Sequence, residues 1–192
     1  MAFVAFLDTC VLYPPTLRDV LLTFAEAGIF QVRWSPDVLD ELEGVFVKHA
    51  KIYEGKNPVA GAQYVIKNMT NAFPDAFIEK SQYEQLVSAM TNDEKDRHVL
   101  AAAIVSRADI LVTFNKKHFQ IEKGLYHLEV QGPDEFLCYQ LDLSPGKFFK
   151  HLGNLATQRR EPMNTARGIL KKLGNIVPNF TEAALEIIHQ YE

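Results

Sequence analysis

Short runs of consecutive apolar residues alternate along the chain with stretches whose apolar positions recur every three to four residues. Phe3 to Leu7 is a strand-length run that stops at Asp8, and Phe30 to Trp34, Ile110 to Thr113 and His127 to Val130 have the same character. Pro14-Pro15 breaks the chain, and Leu17, Val20, Leu21, Phe24 and Ala25 then follow helical spacing up to a stop at Gly28. Ser35-Pro36 starts the next helix, with Ser as cap and Pro at the first helical position, and it carries Val38, Leu39, Leu42, Val45 and Phe46 inward. A further helix is predicted over Asn57 to Asn71, a short strand at Phe77-Ile78 and a short helix over Tyr83 to Met90. Thr91 and Glu94 have capping-box spacing, as do Asp93 and Asp96, ahead of a buried helix over Val99 to Val105.

Strands that are apolar throughout and alternate with helices predict a parallel sheet covered on both faces. The fold class expected is α/β, a three-layer α/β/α sandwich with a mainly parallel central sheet. From Gly132 onward the strand signals stop, and Pro133, Pro145 and Thr181 can each begin a helix. The chain is therefore divided into an α/β domain over residues 1–141 and a C-terminal helical extension over residues 142–192.

Composition adds limits. The chain has 192 residues, is 47% apolar and 23% charged, and has 10 Gly and 9 Pro, which excludes disordered and collagen-like classes. Cys10 and Cys138 are too few for a disulfide framework and read as reduced core thiols. The first residues lack a basic leader, and Val99 to Val105 is far short of a bilayer span, so a soluble, cytoplasmic protein without membrane contact is expected. The net charge of −4 conceals an asymmetry: Leu143 to Asn175 carries seven basic residues and the single acid Glu161, while the remainder is strongly acidic. Such a segment suits an anionic partner, or is a solvated helical face.

Four polar positions fall where an open α/β sheet places its site, at strand carboxyl ends and adjoining helix turns. Asp8 ends the first strand, Glu41 lies nearly two turns into the Ser35-capped helix, Asp96 opens the Ala-rich helix, and Asn115 follows the strand Ile110 to Thr113. The flanking residues are distinctive. Phe6-Leu-Asp-Thr-Cys-Val-Leu-Tyr-Pro14, Ser35-Pro-Asp-Val-Leu-Asp-Glu-Leu42, Asp93-Glu-Lys-Asp-Arg-His-Val-Leu-Ala-Ala-Ala103 and Ala108-Asp-Ile-Leu-Val-Thr-Phe-Asn-Lys-Lys-His-Phe119 occur in that order. Together they resemble the PIN-domain nucleases, over roughly residues 3 to 130, and within that family the branch of VapC-type toxins of bacterial toxin–antitoxin pairs.

The resemblance implies a PIN-like fold and endoribonuclease activity. It also implies an acidic cluster of Asp8, Glu41 and Asp96 that ligates Mg²⁺ or Mn²⁺, with RNA as substrate and a cognate antitoxin as partner. A homodimer is common in the family and stays open. Many members have a fourth carboxylate where this chain has Asn115, whose amide oxygen can ligate Mg²⁺ but brings no charge. Whether one or two metals bind is therefore open, and Asp93 is a nearby source of negative charge.

The chemistry explains the residue types. Phosphodiester hydrolysis needs an activated water and neutralisation of charge on phosphate oxygens, which divalent cations held by oxygen ligands supply. Without metal the carboxylates repel one another, so at least one should titrate high. Thr9, Thr113 and Asp93 are candidates to support the ligands. Lys116, Lys117, Arg159, Arg160, Lys171 and Lys172 are candidates to meet RNA phosphates, with exposed turns and helix faces as the alternative. A metal–water mechanism does not require His98, which is kept as a less favoured functional candidate. An aspartate-nucleophile phosphatase is disfavoured: it needs a second Asp where Cys10 stands. A PIN fold retained as a catalytically weak RNA- or protein-binding module stays as the second reading, favoured by Asn115 and opposed by the three acids.

Overall fold

Four short strands carry the apolar runs in the computed structural model, which describes residues 3–49, 57–120 and 126–191. β1 (Val4–Leu7), β2 (Gln31–Arg33), β3 (Ile110–Val112) and β4 (Glu129–Gln131) form a wholly parallel sheet in the order β2-β1-β3-β4. Leu7 pairs with Val112 and Val112 with Gln131, so the carboxyl ends of the three strands are level. The β1 and β3 side chains are buried almost throughout, as expected for strands covered on both faces. The chain leaves β1 toward β2 on one side and returns as β3 on the other. That reversal opens a crevice at the carboxyl ends of β1 and β3, the position where open α/β sheets bind ligands.

Helices flank this sheet. α1 (Thr9–Leu12) is a single turn directly after β1, followed by α2 (Pro15–Glu26), α3 (Pro36–His49), α4 (Pro58–Ala72), α5 (Lys80–Val87) and α6 (Arg97–Val105). The Pro14-Pro15 break hides α1 in the sequence, although its Val11 and Leu12 are fully buried. α2 ends where predicted: Gly28 has φ +68°, and the next amide, that of Ile29, donates to the Phe24 carbonyl. The strand expected at Phe77-Ile78 is one parallel bridge, Trp34 to Phe77, because a 3₁₀ turn at Pro74–Ala76 precedes it and α5 follows within two residues.

Beyond β4 the chain is helical, with α7 (Pro133–Leu143), α8 (Pro145–Thr157), α9 (Ala166–Leu173) and α10 (Pro178–Ile187). α10 begins at Pro178, one turn before Thr181, because Pro is preorganised for the first helical position. Asp134 at the head of α7 caps α10, accepting from the amides of Asn179 and Phe180. These helices join the core of the sheet layer: Phe148 of α8 is fully buried, with its ring centroid 4.1 Å from Phe24 of α2 and 5.3 Å from Phe180 of α10. Among the described residues no helix is long and apolar enough to cross a membrane.

Phe148 therefore joins the C-terminal helices to the sheet layer. Phe148→Ala is expected to cost about 3–5 kcal/mol by removing a large buried ring and leaving a cavity. Urea denaturation should show one transition shifted to lower midpoint, rather than selective loss of the last helices.

Candidate active site

Asp8 leaves β1 with extended backbone angles and stands at the cap position of α1, yet its side chain makes no cap hydrogen bond. It turns toward the end of β3. Thr113 Oγ1 donates to its Oδ2 at 2.6 Å, and the Cys10 thiol donates to the same oxygen at 3.1 Å. Thr113 is wholly buried and Asp8 nearly so. Burial pushes the Asp8 carboxyl above the ordinary carboxylate range; Thr113 and Cys10 oppose the shift, and the charges of Asp96 and Glu41 add to it. One acid of the group is therefore high, as the sequence suggests, but desolvation is the larger cause and repulsion the smaller. Cys10 is not an inert core thiol: it is partly exposed and touches Asp8, and burial followed by that charge pushes it up to about 12.

Glu41 comes from the second turn of α3. Ser35 Oγ accepts from the Val38 amide at 3.3 Å and so fixes the start of that helix. Thr9 Oγ1 lies 2.8 Å from Glu41 Oε2 and 3.1 Å from the Val38 carbonyl, so one hydroxyl proton serves both acceptors. His98 Nε2 lies 2.9 Å from Glu41 Oε1. Partial burial raises the Glu41 carboxyl, but His98 and Thr9 outweigh it, and the net shift is downward. His98 itself is raised: its burial is overcome by Glu41.

Asp96 ends the 3₁₀ turn Glu94–Asp96 and opens α6. His118 Nδ1 lies 2.8 Å from its Oδ2, at the end of the 3₁₀ turn Lys116–His118. Asp93 caps the first turn through the Lys95 amide, and its own amide donates to the His118 carbonyl at 3.2 Å. One ligand atom from each of Asp93, Asp96 and His118 lies within 4.8 Å of the others, so this group could hold a metal ion.

Asn115 occupies the link between two of these supports. Its amide donates to Thr113 Oγ1 at 3.0 Å, and three residues later His118 reaches Asp96. Lys116 pairs with Glu135 at 2.9 Å, and Lys117 is exposed. Arg159 and Arg160 are exposed in the loop after α8, Lys171 and Lys172 in the last turn of α9, and Arg159 pairs with Asp19 of α2 at 2.6 Å. Beside Glu41 and His98 opens a cleft that also contains Asp37, Lys80 and Tyr83. Asp37 ties α3 to α5 there, accepting from Lys80 at 2.6 Å and Tyr83 at 2.5 Å.

The residues fit a divalent cation. Asp8, Glu41 and Asp96 offer oxygen donors, the set that Mg²⁺ and Mn²⁺ take, and a cation among them would relieve the burial and repulsion that hold Asp8 high. Thr113 and Cys10 share one oxygen of Asp8, a pattern that orients a ligand rather than replaces it. His98, His118 and Cys10 went unrecognised as supports in the sequence. Each lies within three residues of a candidate ligand, but proximity along the chain does not say which ligand it meets.

Asp8, Glu41 and Asp96 thus come from three separate segments near the switch point of a parallel sheet, with Glu41 and Asp96 close enough to Asp8 to act on its charge. The PIN domain family model matches residues 4–117, and the chain belongs to the PIN-domain family. A second model, described as the VapC50 C-terminal domain, matches residues 133–186. The protein named "Putative ribonuclease VapC50" from Mycobacterium tuberculosis is 39% identical over 103 residues, or 53% of this chain and 61% of that protein. The chain thus spans less than two thirds of that relative. No solved structure matches.

The raised Asp8 carboxyl gives a sign to the pH dependence of stability. The folded state holds this proton more tightly than the unfolded chain, so metal-free stability falls as pH rises from the ordinary value of 3.8 through the raised one. Asp8→Asn should abolish that part of the decline and raise the melting temperature at pH 7 in EDTA, by about 2–4 °C per kcal/mol gained. Thermal melts of both proteins at pH 4 and pH 7 check this; the difference should be larger at pH 7.

Proposed function

We propose that this chain is a Mg²⁺- or Mn²⁺-dependent endoribonuclease, acting in the cytoplasm as the toxin of a toxin–antitoxin pair. The observation that supports the reading is that Asp96 and Glu41 act electrostatically on the buried Asp8, so that acids from a strand end, a helix and a 3₁₀ turn lie near one another in a PIN-family sheet, with Asp93 and His118 grouped around Asp96. The similarity to a protein named as a VapC ribonuclease supports the toxin assignment, and with it a protein antitoxin as partner.

Asp8, Glu41 and Asp96 would hold the cation, with the neutral amide of Asn115 beside them. When bound, the cation offsets charge on the phosphate oxygens and lowers the pKa of an attacking water. The remaining work belongs to the protein. Thr113 and Cys10 fix Asp8, Thr9 fixes Glu41 against α3, and Asp93 shapes the turn that presents Asp96.

An acidic crevice repels RNA unless cations nearby offset it. The C-terminal segment is suited to that. Arg159 is anchored to α2 through Asp19, and Met163 lies 3.9 Å from Thr16, in the first turn of that helix. This loop therefore runs beside the first turns of α2. Gly168 lets the loop close onto α9, since a Cβ there would stand 1.8 Å from the Pro162 carbonyl oxygen. Lys116 and Lys117 follow Asn115 directly, and Lys171 and Lys172 end α9.

Two experiments test the reading. Asp8→Asn, Glu41→Gln and Asp96→Asn should each lower Mn²⁺-dependent cleavage of RNA by more than about 100-fold, because loss of a ligand removes several kcal/mol of transition-state stabilisation. Each variant should remain folded by circular dichroism, and near wild-type cleavage by Asp8→Asn would refute the site. Replacing Arg159, Arg160, Lys171 and Lys172 together by Gln should weaken RNA binding and flatten its salt dependence, by about 0.7 in log–log slope for each phosphate that is no longer neutralised. Fluorescence anisotropy from about 50 to 200 mM salt, with Mn²⁺ affinity as the control, reads that change; an unchanged slope would leave the segment a solvated face.

A further inference from the structure

We propose that His98 and His118 are positioning residues for the metal site, each holding one acidic ligand through a different ring nitrogen. The inference rests on the reading of Asp8, Glu41 and Asp96 as cation ligands. An ionised carboxylate only accepts hydrogen bonds, so the ring atom facing it is the donor. At Glu41 that donor is Nε2 of His98, 2.9 Å from Oε1. At Asp96 it is Nδ1 of His118, 2.8 Å from Oδ2. The two pairings are crossed. His98 stands two residues after Asp96 but holds Glu41 of α3, and His118 stands three residues after Asn115 but holds Asp96.

The surroundings of His98 argue against a role in packing alone. Its other nitrogen, Nδ1, is buried without a hydrogen-bond partner. Such a group carries a desolvation cost that an apolar side chain of similar size would not. The ring is therefore placed for the hydrogen bond at Nε2, where a fixed donor selects one carboxylate rotamer and aims the rest of the group into the crevice. His118 lies in the set with Asp93 and Asp96 that could hold a metal ion; its Nδ1 is engaged with Asp96 Oδ2, which makes it a donor to that carboxylate and leaves only Nε2 as an atom that could itself meet a metal. Hydrogen-bonded partners of metal ligands commonly account for about 10–100-fold in metal affinity.

The difference in ring nitrogen supplies the test. The amide nitrogen of Gln reaches the place of imidazole Nε2, and that of Asn the place of Nδ1. Titration calorimetry with Mn²⁺ should find His98→Leu and His118→Leu about 10–100-fold weaker than the starting protein. His98→Gln should restore affinity while His98→Asn does not, and at His118 the order should reverse, with Asn restoring and Gln failing. A structural role would not produce opposite orders at the two positions. Equal behaviour of Asn and Gln at both positions, or wild-type affinity in both Leu variants, overturns the proposal. Electron spin echo measurements on bound Mn²⁺ should show no directly coordinated nitrogen; one that disappears in His118→Leu would make His118 a ligand and overturn its positioning role. Asp8→Asn and Asp96→Asn serve as controls. If the starting protein binds no Mn²⁺ that these variants weaken, the metal reading falls and takes this proposal with it. If they weaken binding and the amide orders fail, only the proposal falls.

Discussion

A carboxylate buried at the end of the central pair of strands is costly, and the organisation of the crevice follows from placing Asp8 there. Desolvation alone raises its carboxyl, and the acids from α3 and α6 raise it further. Two donors from the protein, Thr113 and Cys10, lower the cost without removing it. A cation bound beside Asp8 would offset the remaining imbalance.

The acids are braced by residues adjacent to one another's segments. Thr9, next to Asp8, holds Glu41; His98, next to Asp96, holds Glu41 from the other side; Thr113, before Asn115, holds Asp8; His118, after Asn115, holds Asp96. No acid is positioned by its own segment alone. A shift of α6 or of the turn after β3 would therefore disturb two acids together. The level carboxyl ends of β1 and β3 make the arrangement possible, because they bring Asp8 and Thr113 to the same edge of the sheet.

The C-terminal helices contribute to the same architecture. Phe148 packs between Phe24 and Phe180, and Asp134, shortly after β4, caps α10. The basic loop between α8 and α9 is thereby set against the first turns of α2.

Much of this protein is legible in local pattern. The apolar runs and the periodic stretches between them give a parallel α/β sheet and helices after β4, since strand and helix periods are short-range properties of a chain. The end of β1 at Asp8, the Ser35 start of α3 and the Gly28 stop are readable for the same reason. So are the positions of Asp8, Glu41, Asp96 and Asn115, each of which stands at an element end or on an early helix turn. Local pattern does not read α1, because a single turn before Pro14-Pro15 leaves no period. Nor does it read the partners of the acids. Thr9 and Thr113 stand beside candidate ligands in sequence, but whether His98 meets Asp96 or Glu41, and which carboxylate His118 reaches, depends on strand order and helix packing. Hydrogen bonds at 2.6–2.9 Å are made only after segments 22 to 105 residues apart have been aligned. The sequence by itself therefore determined the fold class and the carriers of charge; the tertiary structure alone decided which donor holds which carboxylate, because long-range pairings have no local period to announce them.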